Sequence, residues 1–237
     1  MKRMILVHGD KGGTGKSHIA QLTAASFLGA KHPVTLIDGD AKNPGLFRHF
    51  DNKPAPVLRI NARKPEGIDA LIEAFLAAPG DVLIDLPAGG SDTTAGFTGA
   101  GSAAGTVDIE SLMKAVDGRL TILFVIDQGR DGIVALNDEL TRLPTEVTDW
   151  IIVRNHRVDA PFDRLDSWAE KADLRQAIIL DMPALDRNVV EALVTAKMHI
   201  GEIDNVKDAS LLMKMRARSA LRAWTGELEK AGLLHNG

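Results

Sequence analysis

Lys11-Gly12-Gly13-Thr14-Gly15-Lys16-Ser17 stands between the apolar run Met4-Ile5-Leu6-Val7 and the helical pattern Ile19-Ala20-Gln21-Leu22-Thr23-Ala24-Ala25. Strand, glycine loop and helix therefore come in the order that a phosphate-binding loop requires. The glycines let consecutive backbone N–H groups converge on one anion, and a helix starting near Lys16 adds free N–H groups and the positive end of its dipole. Lys16 supplies a mobile charge for β- and γ-phosphates, and the Ser17 hydroxyl is placed to ligate Mg²⁺. A glycine turn without a ligand would not also need Lys followed by Ser. The heptapeptide implies a nucleoside triphosphate site built from Lys11, Gly12, Gly13, Thr14, Gly15, Lys16 and Ser17. The usual G-x-x-x-x-G-K-[ST] pattern would carry glycine at position 10, where this chain has Asp10, and Lys11 is an extra cation inside the loop.

That extra lysine gives the loop a family likeness. K-G-G-x-G-K-[ST] resembles the deviant Walker A box of the ParA/MinD ATPases, which position and segregate plasmids, chromosomes and other cargo. Val34-Thr35-Leu36-Ile37-Asp38-Gly39-Asp40 resembles that family's second box, and Asp81-Val82-Leu83-Ile84-Asp85-Leu86-Pro87-Ala88-Gly89 its Walker B strand and switch II. Trp150-Ile151-Ile152-Val153-Arg154-Asn155 and Asp181-Met182-Pro183 are similar to the strand ends that hold adenine in relatives. Within the family, the segments around Ile68–Glu73 and Leu83–Ser91 are most similar to the conjugal-transfer TraL and plasmid-stability StbB proteins.

The resemblance implies ATP and Mg²⁺ as ligands and an ATP-dependent homodimer. Ser17 would ligate the metal, Asp85 would hold a metal-bound water, and Asp38 would support the metal shell or the loop. Asp40 would orient the attacking water, while Lys11 would reach the nucleotide of a second subunit. Asn155 and Pro183 would flank the base. Asp38 and Asp40 could instead cap a strand-end turn. His18 stands where relatives carry the Thr that donates to the α-phosphate, and Ala41 replaces a proline common after the catalytic Asp, so the turn Lys42-Asn43-Pro44-Gly45 is expected to differ from the usual switch I.

Composition suits one α/β domain over residues 1–237, with 45% hydrophobic residues and a core to match. The net charge of −4 is too mild to argue for or against a polyanionic partner. No apolar run approaches the ~18 residues of a membrane span, and the N-terminus reads directly as a strand rather than a signal peptide, so a cytoplasmic protein is expected. The chain has no Cys and no Tyr. It cannot hold a thiolate-ligated iron–sulfur cluster or a Cys-based zinc clasp, and it lacks the tyrosine-rich tail of kinases on this fold.

Apolar runs near 3–8, 33–38, 56–60, 81–86, 119–127, 148–154 and 176–181 alternate with helical patterns near 16–29, 66–78, 107–117, 130–143, 163–173, 186–197 and 207–231. This alternation predicts a mostly parallel, twisted sheet of about seven strands with helices on both faces and all boxes along one rim. Residues 88–105 are nearly devoid of large apolar groups and read as a passive loop or a switch segment. In the last helix, 207–232, Met213, Ala217, Ala220 and Trp224 share a face that would pack on the domain. Lys214, Arg218 and Arg222 line another, either as a solvated face or as a contact for DNA phosphates. Leu228 to His235 is a poor version of a membrane-docking tail.

The sequence thus predicts a slow ATPase that dimerises with ATP and engages non-specific DNA or a protein partner of adaptor or relaxosome type, in plasmid partition, stability or conjugal transfer. The alternatives are a metabolic ligase or kinase of the dethiobiotin-synthetase type, against which Lys11 argues, and a non-hydrolysing ATP-bound scaffold.

Overall fold

The computed structural model describes residues 1–9, 11–50, 56–97, 108–171 and 177–234. The strands are β1 (Lys2–His8), β2 (Val34–Asp38), β3 (Val57–Arg59), β4 (Asp81–Asp85), β5 (Gly118–Ile126), β6 (Thr148–Asn155) and β7 (Ile178–Met182). The helices are α1 (Lys16–Gly29), α2 (Gly45–Phe50), α3 (Pro65–Ala77), α4 (Ser91–Phe97), α5 (Ile109–Ala115), α6 (Arg130–Arg142), α7 (Asp163–Lys171), α8 (Arg187–Ala196) and α9 (Leu211–Lys230), with a 3₁₀ turn at Ile200–Asn205 before the last.

The strands form one parallel sheet in the order β3-β2-β4-β1-β5-β6-β7. Side chains alternate across a strand, so a strand covered on both faces must be apolar at every position. In β1, Ile5 and Val7 enter one core while Met4 and Leu6 enter the other, and all four are fully buried. In β6, Ile151 and Val153 again oppose Trp150 and Ile152. The first core lies beneath α1, α2, α8 and α9, the second beneath α3 to α7. The chain passes from β4 to β5 across β1, and the carboxyl ends at this point, where ligands bind in open α/β sheets, carry the glycine loop.

The terminal helix packs along α1. Its buried residues are Ala217, Trp224 and Leu228, with Met213 and Ala220 partly covered, as the helical spacing predicts. The Trp224 indole N–H donates to Thr23 Oγ1 at 3.1 Å, and the hydroxyls of Ser26 and Thr225 lie 2.9 Å apart. Ser210 caps α9 by accepting from the Met213 N–H, so the helix starts later than the expected 207. At the opposite rim, Arg3 donates to both Asp81 and the Gly232 carbonyl, fastening the chain's end to the sheet. No helix among the described residues is long and apolar enough to cross a membrane.

One expectation is corrected. Ser91–Phe97, within the small-residue stretch, is a helix with Thr93, Thr94 and Phe97 buried. Threonine can be buried here because each hydroxyl finds an acceptor: Thr93 donates to the Ala62 carbonyl at 3.0 Å and Thr94 to Glu139 at 2.6 Å. Residues 98–105 of the same stretch lie outside the described residues.

Candidate nucleotide site

The loop after β1 leads into α1 through Gly15, whose φ of 98° is left-handed backbone that side chains rarely adopt. A Cβ there would also lie 2.5 Å from the Asn155 Nδ2, which donates to the Thr14 carbonyl at 2.6 Å. The end of β6 thus braces the loop. Lys16 is buried, and its ammonium donates to the Lys11 carbonyl at 2.8 Å. The N-terminus of α1 opens into a cavity of about 550 Å³ lined by Gly12, Gly13, Gly15, Lys16, Ser17 and His18. Asp40, Asn155 and Met182 close other sides of it.

Three carboxylates gather where β2 and β4 end. Asp85 is wholly buried, and burial together with the nearby Asp38 charge pushes its carboxyl up to about 7, against the pull of the Ser17 hydrogen bond and Lys16. Its Oδ1 has no hydrogen-bond partner. Asp38 is also raised, first by burial, although its oxygens accept the N–H groups of Phe47 at 2.9 Å and Asp40 at 3.1 Å. These bonds tie Asp38 to the turn and to α2, and each oxygen keeps an acceptor site of its own. The Asp40 Oδ1 accepts from the N–H groups of Lys42 and Asn43, each at 3.0 Å. This turn leads into α2, a helix that the residue pattern alone did not disclose.

Other candidates fall differently. Lys11 is exposed, with its ammonium 3.8 Å from Asp131 at the start of α6. His18 is partly buried, and burial followed by the neighbouring His49 lowers its pKa. Pro183 does not line the loop cavity; it faces a separate one between α8 and α9, while its neighbours Met182 and Ala184 take the wall expected of it. Arg157, missed in the sequence, lines the loop cavity and donates to the Gly13 carbonyl at 3.1 Å. Its only signal was a cation two residues past a strand end. On α9, Lys214 donates to the Asp204 carbonyl and Arg218 pairs with the Asp204 carboxylate, so part of the basic face is neutralised within the chain. Arg222 is exposed.

The structure is similar to MinD of Pyrococcus horikoshii OT3 in complex with Mg-ADP, at 15% identity over 98% of each chain with a TM-score of 0.54. It is also similar to MinD of Aquifex aeolicus, at 14% identity over 97% of each chain with a TM-score of 0.51. A protein named as a plasmid partition protein from Borrelia burgdorferi B31, bound to AMPPNP, matches at 13% identity over 97% of this chain and 99% of its own, with a TM-score of 0.50. At such identities the likeness is one of fold: this is the MinD/ParA type of P-loop α/β fold. In sequence, the chain is 25% identical to Protein MobD of Acidithiobacillus ferrooxidans over 154 residues, 65% of this chain and 63% of that relative. No protein-family model matches.

Proposed function

We propose that the chain is an ATPase of the ParA/MinD group, a slow dimerisation switch whose ATP state binds a second copy of itself and a partner and whose hydrolysis releases them. The observation that supports this most is the meeting of buried Lys16, Ser17 and the half-unpartnered Asp85 at the mouth of a glycine loop, on a MinD-like sheet. Resemblance to the TraL and StbB proteins favours plasmid maintenance or conjugal transfer as the setting.

Ser17 and Asp85 are the residues that would hold Mg²⁺, Ser17 directly and Asp85 through a water. Among the described residues no three His, Asp or Glu converge to chelate a metal, so the pair suits an ion that takes its other ligands from phosphate and water. Bound with nucleotide, that ion neutralises charge on the β- and γ-phosphates. The chain's own parts do the rest. Loop amides and Lys16 fix the phosphate tail, and Asp40 orients a water for attack on the γ-phosphorus as the bond to the ADP oxygen breaks. The Lys11–Asp131 pair is exposed on both sides, and such pairs contribute about 1 kcal/mol or less, so little holds Lys11 back from the phosphates of a second subunit.

Light scattering and hydrolysis assays with ATP and magnesium test this reading. Lys16→Ala is expected to lose measurable ATP affinity with its fold intact, and unchanged affinity would remove the nucleotide assignment. Asp40→Ala should bind ATP, hydrolyse it far more slowly and persist as a dimer. Lys11→Ala should lose both hydrolysis and the dimer. Equal monomer fractions in the last two would leave Lys11 an ordinary loop lysine, and turnover appearing only with an added small carboxylic acid would assign a ligase instead.

A further inference from the structure

A second cavity of about 570 Å³ lies between α1, α2, α8 and the 3₁₀ turn. It adjoins the loop cavity, with which it shares Ser17, His18, Leu185 and Val190. Its size falls in the range of small-molecule sites, roughly 300–1,000 Å³. Leu22, Phe47, Val189 and Leu193 make its body apolar, and three of these four are core residues. Its rim is cationic. Arg48 and Lys197 are exposed, and His18 and His49 stand beside them. Among the described residues that line it there is no Asp or Glu.

The two halves of this lining ask for different things. A wholly polar anion would leave the apolar walls wet, and a neutral hydrocarbon would gain nothing from the rim. Phosphate groups are better served next door, where glycine amides converge. His49 is committed structurally: its Nδ1 lies 2.9 Å from the Met198 carbonyl, which can only accept, so the ring hydrogen sits on that nitrogen. The fixed positive charges at the mouth are those of Arg48 and Lys197.

We infer that this cavity binds an amphipathic organic anion, its carboxylate at Arg48 and Lys197 and its hydrocarbon body against Leu22, Phe47, Val189 and Leu193. The site adjoins the nucleotide cavity, but Arg48, Lys197, Leu22, Phe47, Val189 and Leu193 do not line that cavity, and the reading does not depend on which nucleotide, if any, the chain hydrolyses. Ligand in it meets Ser17 and His18, which also line the loop cavity, so its binding free energy is coupled to that of any occupant of the loop.

Titration calorimetry of the full-length chain with decanoate, below its micelle concentration, tests the assignment. Saturable one-to-one binding is expected, with decan-1-ol and decyltrimethylammonium at least about tenfold weaker, a difference of about 1.4 kcal/mol. Arg48→Glu with Lys197→Glu, both surface changes, should weaken decanoate by the same factor while ATP affinity stays as in the parent. Val194→Trp, at the exposed mouth, should weaken it too and serves if the reversed pair fails to fold. Saturating AMPPNP should shift the decanoate affinity without simple competition. Absence of saturable binding, equal affinity for the alcohol, indifference to both variants, or simple displacement by AMPPNP would each overturn the proposal.

Discussion

At the scale of single residues, Gly15 and Asp85 show how the loop trades stability for chemistry. Gly15 serves two constraints at once, a left-handed backbone and the close approach of Asn155. Gly15→Ala is expected to cost about 2–3 kcal/mol, from left-handed strain and loss of the Asn155 hydrogen bond. In urea melts, Asn155→Ala should absorb part of that cost in the double variant, and strict additivity would show that the two do not meet. Asp85 makes a prediction in pH. Its folded carboxyl titrates near 7, against an ordinary 3.8, so between those values the native state keeps a proton that the unfolded chain has released. The contribution of this group to stability is therefore fullest at acid pH, falls as pH rises through that window and levels off above it, by on the order of 4 kcal/mol. Asp85→Asn, measured without nucleotide or magnesium, should flatten the decline between pH 4.5 and 8, on the order of the window above. Equal slopes would mean that the native carboxylate is already charged. The positions of Lys16, Ser17 and Asp85 were legible in the sequence because motif and strand end fix them locally. The double use of Asp38 was not, since it depends on an N–H nine positions away in α2.

Among elements, α4 is held to α6 by a buried polar network rather than by apolar bulk. Glu139, fully buried, accepts from Thr94 and from Arg142, and His8 lies 3.5 Å away. Burial pushes the Glu139 carboxyl up, but the neighbouring His8 and the Thr94 hydrogen bond outweigh it and hold it below its ordinary value. Gly90, just before α4, passes so close to His8 that a Cβ would fall 2.6 Å from its Nδ1. The network ties the strand before the glycine loop to the helix after Asp85. Glu139→Ala removes the charged acceptor that Thr94 and Arg142 share, leaving each only the Ser91 carbonyl, and should cost about 2 kcal/mol. Hydrogen exchange should show α4 amides losing protection before the sheet does; protection lost uniformly would mean that α4 has no separate anchorage. The strands were readable because a sheet covered on both faces needs apolar residues at each step. Helix α4 was hidden because its buried threonines find their acceptors far away in sequence, Thr93 at the Ala62 carbonyl and Thr94 at a glutamate 45 residues on.

On the scale of the whole molecule, the question is what the outer surface meets. In the basic stripe on α9 the Asp204 carboxylate offsets Arg218 while the Asp204 carbonyl holds Lys214, and the chain is net acidic. If this face contacts DNA, Asp204→Asn should raise salt-sensitive retention severalfold at low ionic strength with ATP, and reversing Lys214, Arg218 and Arg222 should abolish it. Retention absent from both the parent and Asp204→Asn would remove DNA from the list of partners. Sequence alone showed the stripe but not its counter-ion, because the 3₁₀ turn that carries Asp204 is only six residues long, too short for Ile200 and Ile203 to announce it.

The seam between α1 and α9 has an optical consequence. Trp224 is wholly enclosed, its indole joined to Thr23, about two helical turns along α1 from Lys16. The chain contains no tyrosine, so its near-ultraviolet emission comes from three indoles, those of Trp150, Trp168 and Trp224. Trp168 is only partly covered and open to a soluble quencher, whereas Trp224 is shielded from it. With Trp150, which is also buried, replaced by phenylalanine, the quencher-resistant fluorescence becomes a dye-free gauge of how the loop-bearing helix sits against the terminal one, ready to be followed as ligands are added.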